Sequence, residues 1–523
     1  MRRPLRTVCR ALAVVLGLTL AACAALPPRG TPAASQALAG DDHTPLARIA
    51  QASRPAHETL PSGFRLLPSG ESAFAARIAL ADRAMQSIDA QYYHVHDDAA
   101  GHALLRALRD AARRGVRVRL LVDDLYSGPI ADLLRALAAE PQAQVRLFNP
   151  LPVRGGPPLA RLALSWPEFE RINHRMHNKL LVVDGVVAIY GGRNIGNAYF
   201  MRDGEANFVD LDVLSTGSVV RELAAAFDLY WNSDRVWPAQ AVLGQASEAD
   251  RAGFDGRTAA TQTDLLMEPP RDVLGQTPVA VQLAAGRLSL HFCAARVAPD
   301  PPQKAATTAV PGQPGAAMRA QLDIIDAARS DVALSSPYFL PGGLGLQLLL
   351  EARQRGIQAL VLTNSLGSTD EPLAYFAYAP HRKAMLRQGI ELYELAPTLA
   401  RDSGGFGKFG TSIARLHAKL ATVDRRWLLV GSVNFDARSA TINTEMGVAI
   451  DCPALALEAM RVLAGDAFRS MYRLRLSADG QSLEWVSSDA DGHLQVSTRE
   501  PHDDLGLRLR LQIQSLFVDE DQL

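Results

Sequence analysis

Apolar and polar positions along this chain follow two alternating registers. A helical pattern from about Glu71 to Met85 gives way to Ser87-Ile88-Asp89-Ala90-Gln91-Tyr92-Tyr93, where period-two alternation and aromatics predict a strand. A second helical run (about Gly101 to Arg114) stops at Gly115, a residue suited to the left-handed turn that ends a helix. Val116 to Val122 then reads as a buried strand, Ile130 to Ala139 as a helix and Val145 to Phe148 as a further strand. After a loop from Leu151 to Arg175 come an apolar strand-like stretch at His177 to Asp184, its partner Val186 to Tyr190, an alternating strand Asn207 to Val213 and a helix from about Val219 to Trp231.

The second half repeats this order. Helix Met318 to Arg329 leads to strand Val332 to Ser336, helix Leu344 to Arg355 stops at Gly356, and strand Gln358 to Leu362 follows. A single helix Pro372 to Arg387 ends at Gly389, strand Ile390 to Leu395 succeeds it, and a loop leads to His417. Alternating helices and strands predict an α/β fold, and an internal repeat of this length predicts two similar lobes, each a mixed β-sheet flanked by helices. The expected organisation is an export segment at 1–22, a flexible Pro/Ala/Gly tether at 23–56, lobe 1 at 57–238 and a connecting segment at 239–317. Lobe 2 follows at 318–470 and an accessory tail at 471–523, with a hairpin turn at Asp491-Gly492 and an amphipathic stretch from Leu505 to Phe517.

Inside the repeat lies a shorter one. His177-Asn178-Lys179 with Asp184, and His417-Ala418-Lys419 with Asp424, both spell HxKxxxxD. Each is trailed by a small-residue turn with asparagine: Gly191-Gly192-Arg193-Asn194 and Gly431-Ser432-Val433-Asn434. In extended backbone His177 and Lys179 share a face, as do His417 and Lys419, whereas Asp184 and Asp424 fall on the opposite face and suit a structural role. Two imidazoles and two ammonium groups at one point suit a phosphodiester. One neutral histidine attacks phosphorus, the other protonates the leaving oxygen, and Lys179 and Lys419 neutralise the remaining oxygens with help from Asn194, Asn434 and Ser432. No cofactor or metal is called for. A nucleophilic imidazole needs an acceptor on its second nitrogen, and each lobe offers a downstream carboxylate for that task, Asp210 in the first and Glu445 in the second, with Asp212 competing with Asp210.

Composition alters this picture little. A net charge of −1 supplies no global field for a polyanion, so no nucleic acid is expected as partner. The N-terminus adds more. Arg2, Arg3, Arg6 and Arg10 precede an apolar run, Ala11 to Leu20, too short to span a bilayer. Leu20-Ala21-Ala22-Cys23 resembles a bacterial lipobox with Cys23 as the lipidated residue; the alternative is an ordinary cleaved signal peptide. Ala24 is not the aspartate that retains lipoproteins in the inner membrane, so the expected address is the outer membrane, facing the periplasm. Cys293 and Cys452 then remain in an oxidising compartment, either paired or as buried thiols.

The duplicated motif with its glycine-asparagine turn resembles the signature of the phospholipase D superfamily. Asp89 to Tyr93, Arg175 to Lys179, Gly191 to Phe200, Asp210 to Val213, Thr363 to Leu366 and Glu391 to Leu395 are similar to its cardiolipin synthase C branch. The resemblance implies two phospholipase D-like lobes with the active site between them, and a membrane-associated phosphatidyltransferase working through a phosphatidyl-histidine, with His177 the nucleophile and His417 the acid. The implied reaction joins phosphatidylglycerol and phosphatidylethanolamine into cardiolipin and ethanolamine. Water and alcohols compete for one intermediate, so a phospholipid-hydrolysing phosphodiesterase is the alternative, a nuclease less so, and a non-catalytic lipid-binding envelope protein a third. The sequence names no protein partner.

Overall fold

The computed structural model describes residues 26–154, 164–259, 268–306, 313–340, 343–398, 412–464, 470–488 and 493–502. The signal segment, Cys23, the Asp491-Gly492 turn and the Leu505 to Phe517 stretch lie outside them. No helix among the described residues is long and apolar enough to cross a membrane.

Strand pairing shows the duplication directly. Lobe 1 runs Ser62–Leu67, Asp212–Gly217, Val187–Gly191, Leu180–Val183, Ser87–Tyr92, Arg117–Asp123, Ala143–Phe148, Val236–Pro238 from edge to edge. Lobe 2 has the same order and the same strand directions: His291–Pro299, Met446–Asp451, Trp427–Gly431, Leu420–Val423, Asp331–Ser335, Gln358–Asn364, Glu391–Leu395, Met471–Leu476. Strand His291–Pro299, in the stretch expected to be a connector, therefore holds in lobe 2 the place that Ser62–Leu67 holds in lobe 1. These two strands also pair with each other, Ser62 opposite Cys293 and Phe64 opposite His291, so the lobes share one continuous 18-stranded sheet among the described residues. Leu483–Ser488 and Leu494–Ser497 extend its far edge as an antiparallel hairpin.

Helices cover the faces as the patterns predict. Ala99–Arg113 is capped by Asp98, whose carboxylate accepts from Gly101 N at 3.0 Å, and is followed by Gly115 at φ 96°. The predicted helix from Pro372 to Arg387 is instead broken into Pro372–Tyr378, a 3-10 turn Ala379–His381 and Arg382–Arg387. Pro380 is the cause, because its ring removes a backbone donor and crowds the preceding turn. The predicted strand Asn207 to Val213 is likewise two: Ala206–Val209 leaves its own lobe to pair in parallel with Ile413–Leu416 of the other, and Asp212–Gly217 returns to the lobe 1 sheet. Asp210 and Leu211 form the break.

The segment expected to be a flexible tether departs from that expectation from residue 26 onward. Pro27 O accepts from Trp237 Nε1 (3.2 Å), Ala33 O from Arg146 (2.7 Å) and Ser35 O from Arg119 (3.0 Å), while Ala37 N donates to Asp228 (2.7 Å). The buried guanidiniums of Arg119 and Arg146 have donors to satisfy, and an extended chain supplies free carbonyls. Helix Pro45–Ser53 follows, its Leu46 fully buried. Cys293 and Cys452 are disulfide-bonded across a sequence separation of 159, fastening the shared strand to the end of Met446–Asp451.

Candidate active site at the lobe interface

Each HxKxxxxD stretch enters the site from backbone that the opposite lobe holds. His177 N donates to Thr444 O (2.9 Å), while His417 N and Ala418 N both donate to Val209 O (2.7 and 3.0 Å). Thr444 and Val209 immediately precede the two candidate carboxylates. Those carboxylates cross over. His177 Nδ1 bonds Glu445 of lobe 2 (Oε1 and Oε2 both at 3.0 Å), and His417 Nδ1 bonds Asp210 of lobe 1 (2.7 Å). Nδ1 of each ring is thereby engaged, leaving Nε2 for a substrate. Lys179 Nζ donates to His177 O and Lys419 Nζ to His417 O, both at 2.7 Å, so each lysine folds back over its own histidine. Tyr93 lies edge-on to His177 at 5.1 Å, and Tyr199 to His417 at 5.1 Å.

Burial governs the electrostatics. It lowers the pKa of His177 to about 4 against the pull of Glu445, and lowers that of His417 as well, with Lys419 and Lys179 adding to the effect. Burial thus works against protonating either ring in the empty site, and an anionic phosphodiester seated between them works for it. Burial also depresses both lysines, Lys419 to about 8, with Asp210 and Asp370 opposing the fall. Asp210 is raised by burial. In Glu445 burial pushes upward too, but His177, Lys179 and the Ser432 hydroxyl outweigh it and the net shift is downward.

The motif aspartates point away from this chemistry. Asp184 accepts from the successive amides of Met85, Gln86 and Ser87 (3.1, 2.8 and 3.0 Å), and Asp424 from those of Arg329, Ser330 and Asp331 (2.9, 2.7 and 3.4 Å). Both sit at φ near +53°, where a short acidic side chain is tolerated. Each pins a hairpin tip to the start of a neighbouring strand.

The glycine-asparagine turns differ between lobes. A Cβ on Gly192 would stand 2.4 Å from Asp210 Oδ1, so glycine makes the space the carboxylate occupies. At the matching position Ser432 adds a hydroxyl, which donates to Glu445 at 2.5 Å, with Ser439 as a second donor at 2.8 Å. Asn194 is spent on its own lobe: Oδ1 accepts from His94 N (3.3 Å) and Nδ2 donates to Tyr199 Oη (3.0 Å). Asn434 Oδ1, though buried, has no hydrogen-bond partner among the described residues.

Sequence reasoning missed several supports. Asp212 pairs with Arg77 (2.9 Å) and Arg193 (3.2 Å), and Arg193 also donates to Asp210 O. Asp123 accepts from Met176 N (2.9 Å) and Arg175 (2.9 Å), and at the equivalent place Asn364 Oδ1 accepts from Leu416 N (2.8 Å). Asp300, at the end of the shared strand, accepts from Glu445 N (3.1 Å), returns its own amide to Glu445 O (2.8 Å) and is itself held by Lys304 (2.6 Å). A polar residue ending each strand beside a motif was the available signal for Asp123 and Asn364; Asp300 lay in a stretch with no periodic pattern.

Two lobes on one sheet, reciprocally completing a paired His-Lys centre, define an enzyme of the phospholipase D superfamily. The family model described as "Cardiolipin synthase, PLD-like domain" matches residues 78–231 and 322–466, and the chain belongs to this family, whose members of this kind are phosphatidyltransferases. It is 37% identical over 483 residues to cardiolipin synthase C of Escherichia coli K12, covering 90% of this chain and 99% of that one. An uncharacterised protein of Helicobacter pylori 26695 is 30% identical, over 78% of this chain and 80% of its own. Among solved structures, the phosphatidylserine synthase of Haemophilus influenzae superimposes with a TM-score of 0.55 at 15% identity, covering 91% of this chain and 100% of that one, a likeness of fold.

Proposed function

We propose that this protein makes cardiolipin by phosphatidyl transfer, joining phosphatidylglycerol to phosphatidylethanolamine and releasing ethanolamine. His177 Nε2 attacks the phosphorus of phosphatidylethanolamine, the bond to the ethanolamine oxygen breaks, and protonated His417 gives its proton to that oxygen. A hydroxyl of phosphatidylglycerol then passes its proton to His417 and attacks the phosphatidyl-histidine, freeing His177. Lys179 and Lys419 neutralise the non-bridging oxygens, Asn194, Asn434 and Ser432 border them, and Glu445 and Asp210 steady the imidazolium forms. One phosphodiester is exchanged for another, so no nucleotide is consumed. The observation that carries this reading is the reciprocal engagement of both Nδ1 atoms, which turns both Nε2 atoms to the substrate. The near full-length similarity to cardiolipin synthase C supports the choice of lipids.

The address follows from the N-terminus. Export with a lipid on Cys23 places the enzyme in the bacterial envelope, at the outer membrane facing the periplasm. The Cys293–Cys452 disulfide supports an oxidising compartment. The test is incubation of detergent-solubilised protein with labelled phosphatidylglycerol, with and without phosphatidylethanolamine, followed by lipid separation. Cardiolipin dependent on phosphatidylethanolamine is expected; phosphatidic acid as sole product would establish the hydrolase instead. Cys23→Ser should release the protein from membranes, and its retention there would remove the lipid anchor from the account.

A further inference from the structure

The wall of the catalytic chamber built by lobe 2 carries acceptor oxygens with nothing to accept. Tyr338, which follows strand Asp331–Ser335, sets its ring 6.0 Å from Lys419 Nζ and donates its hydroxyl to Asp370 Oδ2 at 2.9 Å. The other oxygen, Asp370 Oδ1, is shielded from solvent and has no hydrogen-bond partner among the described residues. Asn434 Oδ1 is in the same condition, in a residue only 5% exposed. The two flank one segment: Ser336 Oγ donates to Tyr338 O (2.9 Å) and accepts from Phe435 N (3.0 Å), the amide next to Asn434. Through the Tyr338 ring, which bonds Asp370 on one side and lies near Lys419 on the other, the carboxylate borders the chamber. Lys419 does not quench it by direct contact, because that ammonium donates to His417 O.

The corresponding wall of lobe 1 offers no unpartnered carboxylate or amide oxygen among the residues lining it; its unpartnered atom is the imidazole nitrogen His96 Nε2. Asn194 has both ends of its amide engaged, and the surrounding side chains are aromatic or imidazole: Tyr93, Tyr126, and His94 stacked on Tyr126 with ring centres 4.5 Å apart. The lobe 2 wall thus presents an acidic oxygen short of a donor, the lobe 1 wall aromatic and imidazole rings.

A half-satisfied carboxylate with one shielded oxygen, beside an aromatic face, is suited to a primary ammonium, which brings three N–H donors and a positive charge. The lysine pair nearby fixes where the phosphate of the same molecule must lie. We propose that Asp370, seated by Tyr338, is the subsite that binds the ammonium of an amino-alcohol phosphodiester head group. This makes lobe 2 the side from which the amino alcohol leaves, next to His417, the group that protonates it. The assignment rests on the proposed use of phosphatidylethanolamine and adds to it the residue that selects that lipid.

The experiment is a calorimetric titration of the full-length protein in detergent with two soluble head groups, glycerophosphoethanolamine and glycerophosphoglycerol, for wild type, Asp370→Asn and Tyr338→Phe. Wild type should bind the ethanolamine compound about tenfold more tightly, the size of one charge-assisted hydrogen bond. Asp370→Asn should erase that preference while leaving the glycerol compound within about twofold, and Tyr338→Phe, which keeps the ring but frees the carboxylate, should reduce the preference. No preference in wild type overturns the proposal. Equal weakening of both compounds by Asp370→Asn also overturns it, since the carboxylate would then serve only Lys419. If the preference is present and Asp370-dependent but no cardiolipin forms in the lipid assay, the ammonium subsite stands and the cardiolipin reading fails.

Discussion

The two lobes hold their motif histidines by the same backbone device and by different side-chain chemistry. In both, the histidine amide bonds the carbonyl just ahead of the other lobe's carboxylate. Around Asp210, however, lobe 1 clears space with Gly192 and brings in Arg193. Around Glu445, lobe 2 supplies the hydroxyls of Ser432 and Ser439. The shorter carboxylate takes one imidazole contact at 2.7 Å, the longer one spreads over two at 3.0 Å. A duplicated frame fixes where the groups meet, and each lobe then tunes the imidazole of the other. The net pKa shifts of the carboxylates have opposite signs, Asp210 up through burial and Glu445 down through His177, Lys179 and the Ser432 hydroxyl.

The sharpest way to break the comparison is to remove each histidine. His177→Ala and His417→Ala should each cut turnover by about 10⁴ or more. Only the variant that keeps the nucleophile should still form labelled phosphatidyl-protein when given lipid labelled with ³²P at phosphorus. That experiment assigns nucleophile and acid to lobes.

Next come the crossed carboxylates. Glu445→Gln and Asp210→Asn should each lower kcat by about 10²- to 10³-fold, since the imidazolium loses its counter-charge. Glu445→Gln should add almost nothing in a His177→Ala background yet retain its full effect beside His417→Ala. A reversed pattern in those double variants would mean that each histidine is served within its own lobe.

Smaller effects test the local differences. Gly192→Ala forces a methyl against Asp210, costing about 1–3 kcal/mol of stability or an equivalent loss in rate. Ser432→Ala only removes one hydrogen-bond donor, and its cost should be about 1 kcal/mol, read from thermal melts and initial rates. The smallest effect concerns pH. Lys419, lowered by burial to about 8, sheds its proton as pH rises through that value, so kcat/KM should fall a few-fold above pH 8. Lys419→Arg should move that limb upward, and an unchanged limb would assign it to another group.

Much of this was legible in the chain. Hydrophobic period marked the repeated strands and helices, and Gly115, Gly356 and Gly389 marked helix ends, where all three take positive φ. The motif spacing picked out His177, Lys179, His417 and Lys419; the strand parity invoked to set Asp184 and Asp424 apart does not apply, because the strands begin only at Leu180 and Leu420 and both aspartates sit in positive-φ turns. What did not show was partnership. Nothing local in Asp210 says that its imidazole lies 207 residues away, because Val209 and Leu416 meet only after both lobes have folded. The break after Val209 was hidden because the alternation continues through it. Strand His291–Pro299 was hidden for a related reason: it is partly exposed along its length, so it lacks the buried alternation that reveals the others.

The crossed pairing has a consequence for the enzyme's early life. Reading from the N-terminus, His177 is in place long before Glu445, and Asp210 waits for His417. A growing chain thus holds His177 without its carboxylate and Asp210 without its imidazole. Such a chain has no completed centre until the stretch carrying Glu445 has been made. The two lobes act as two keys that have to turn together.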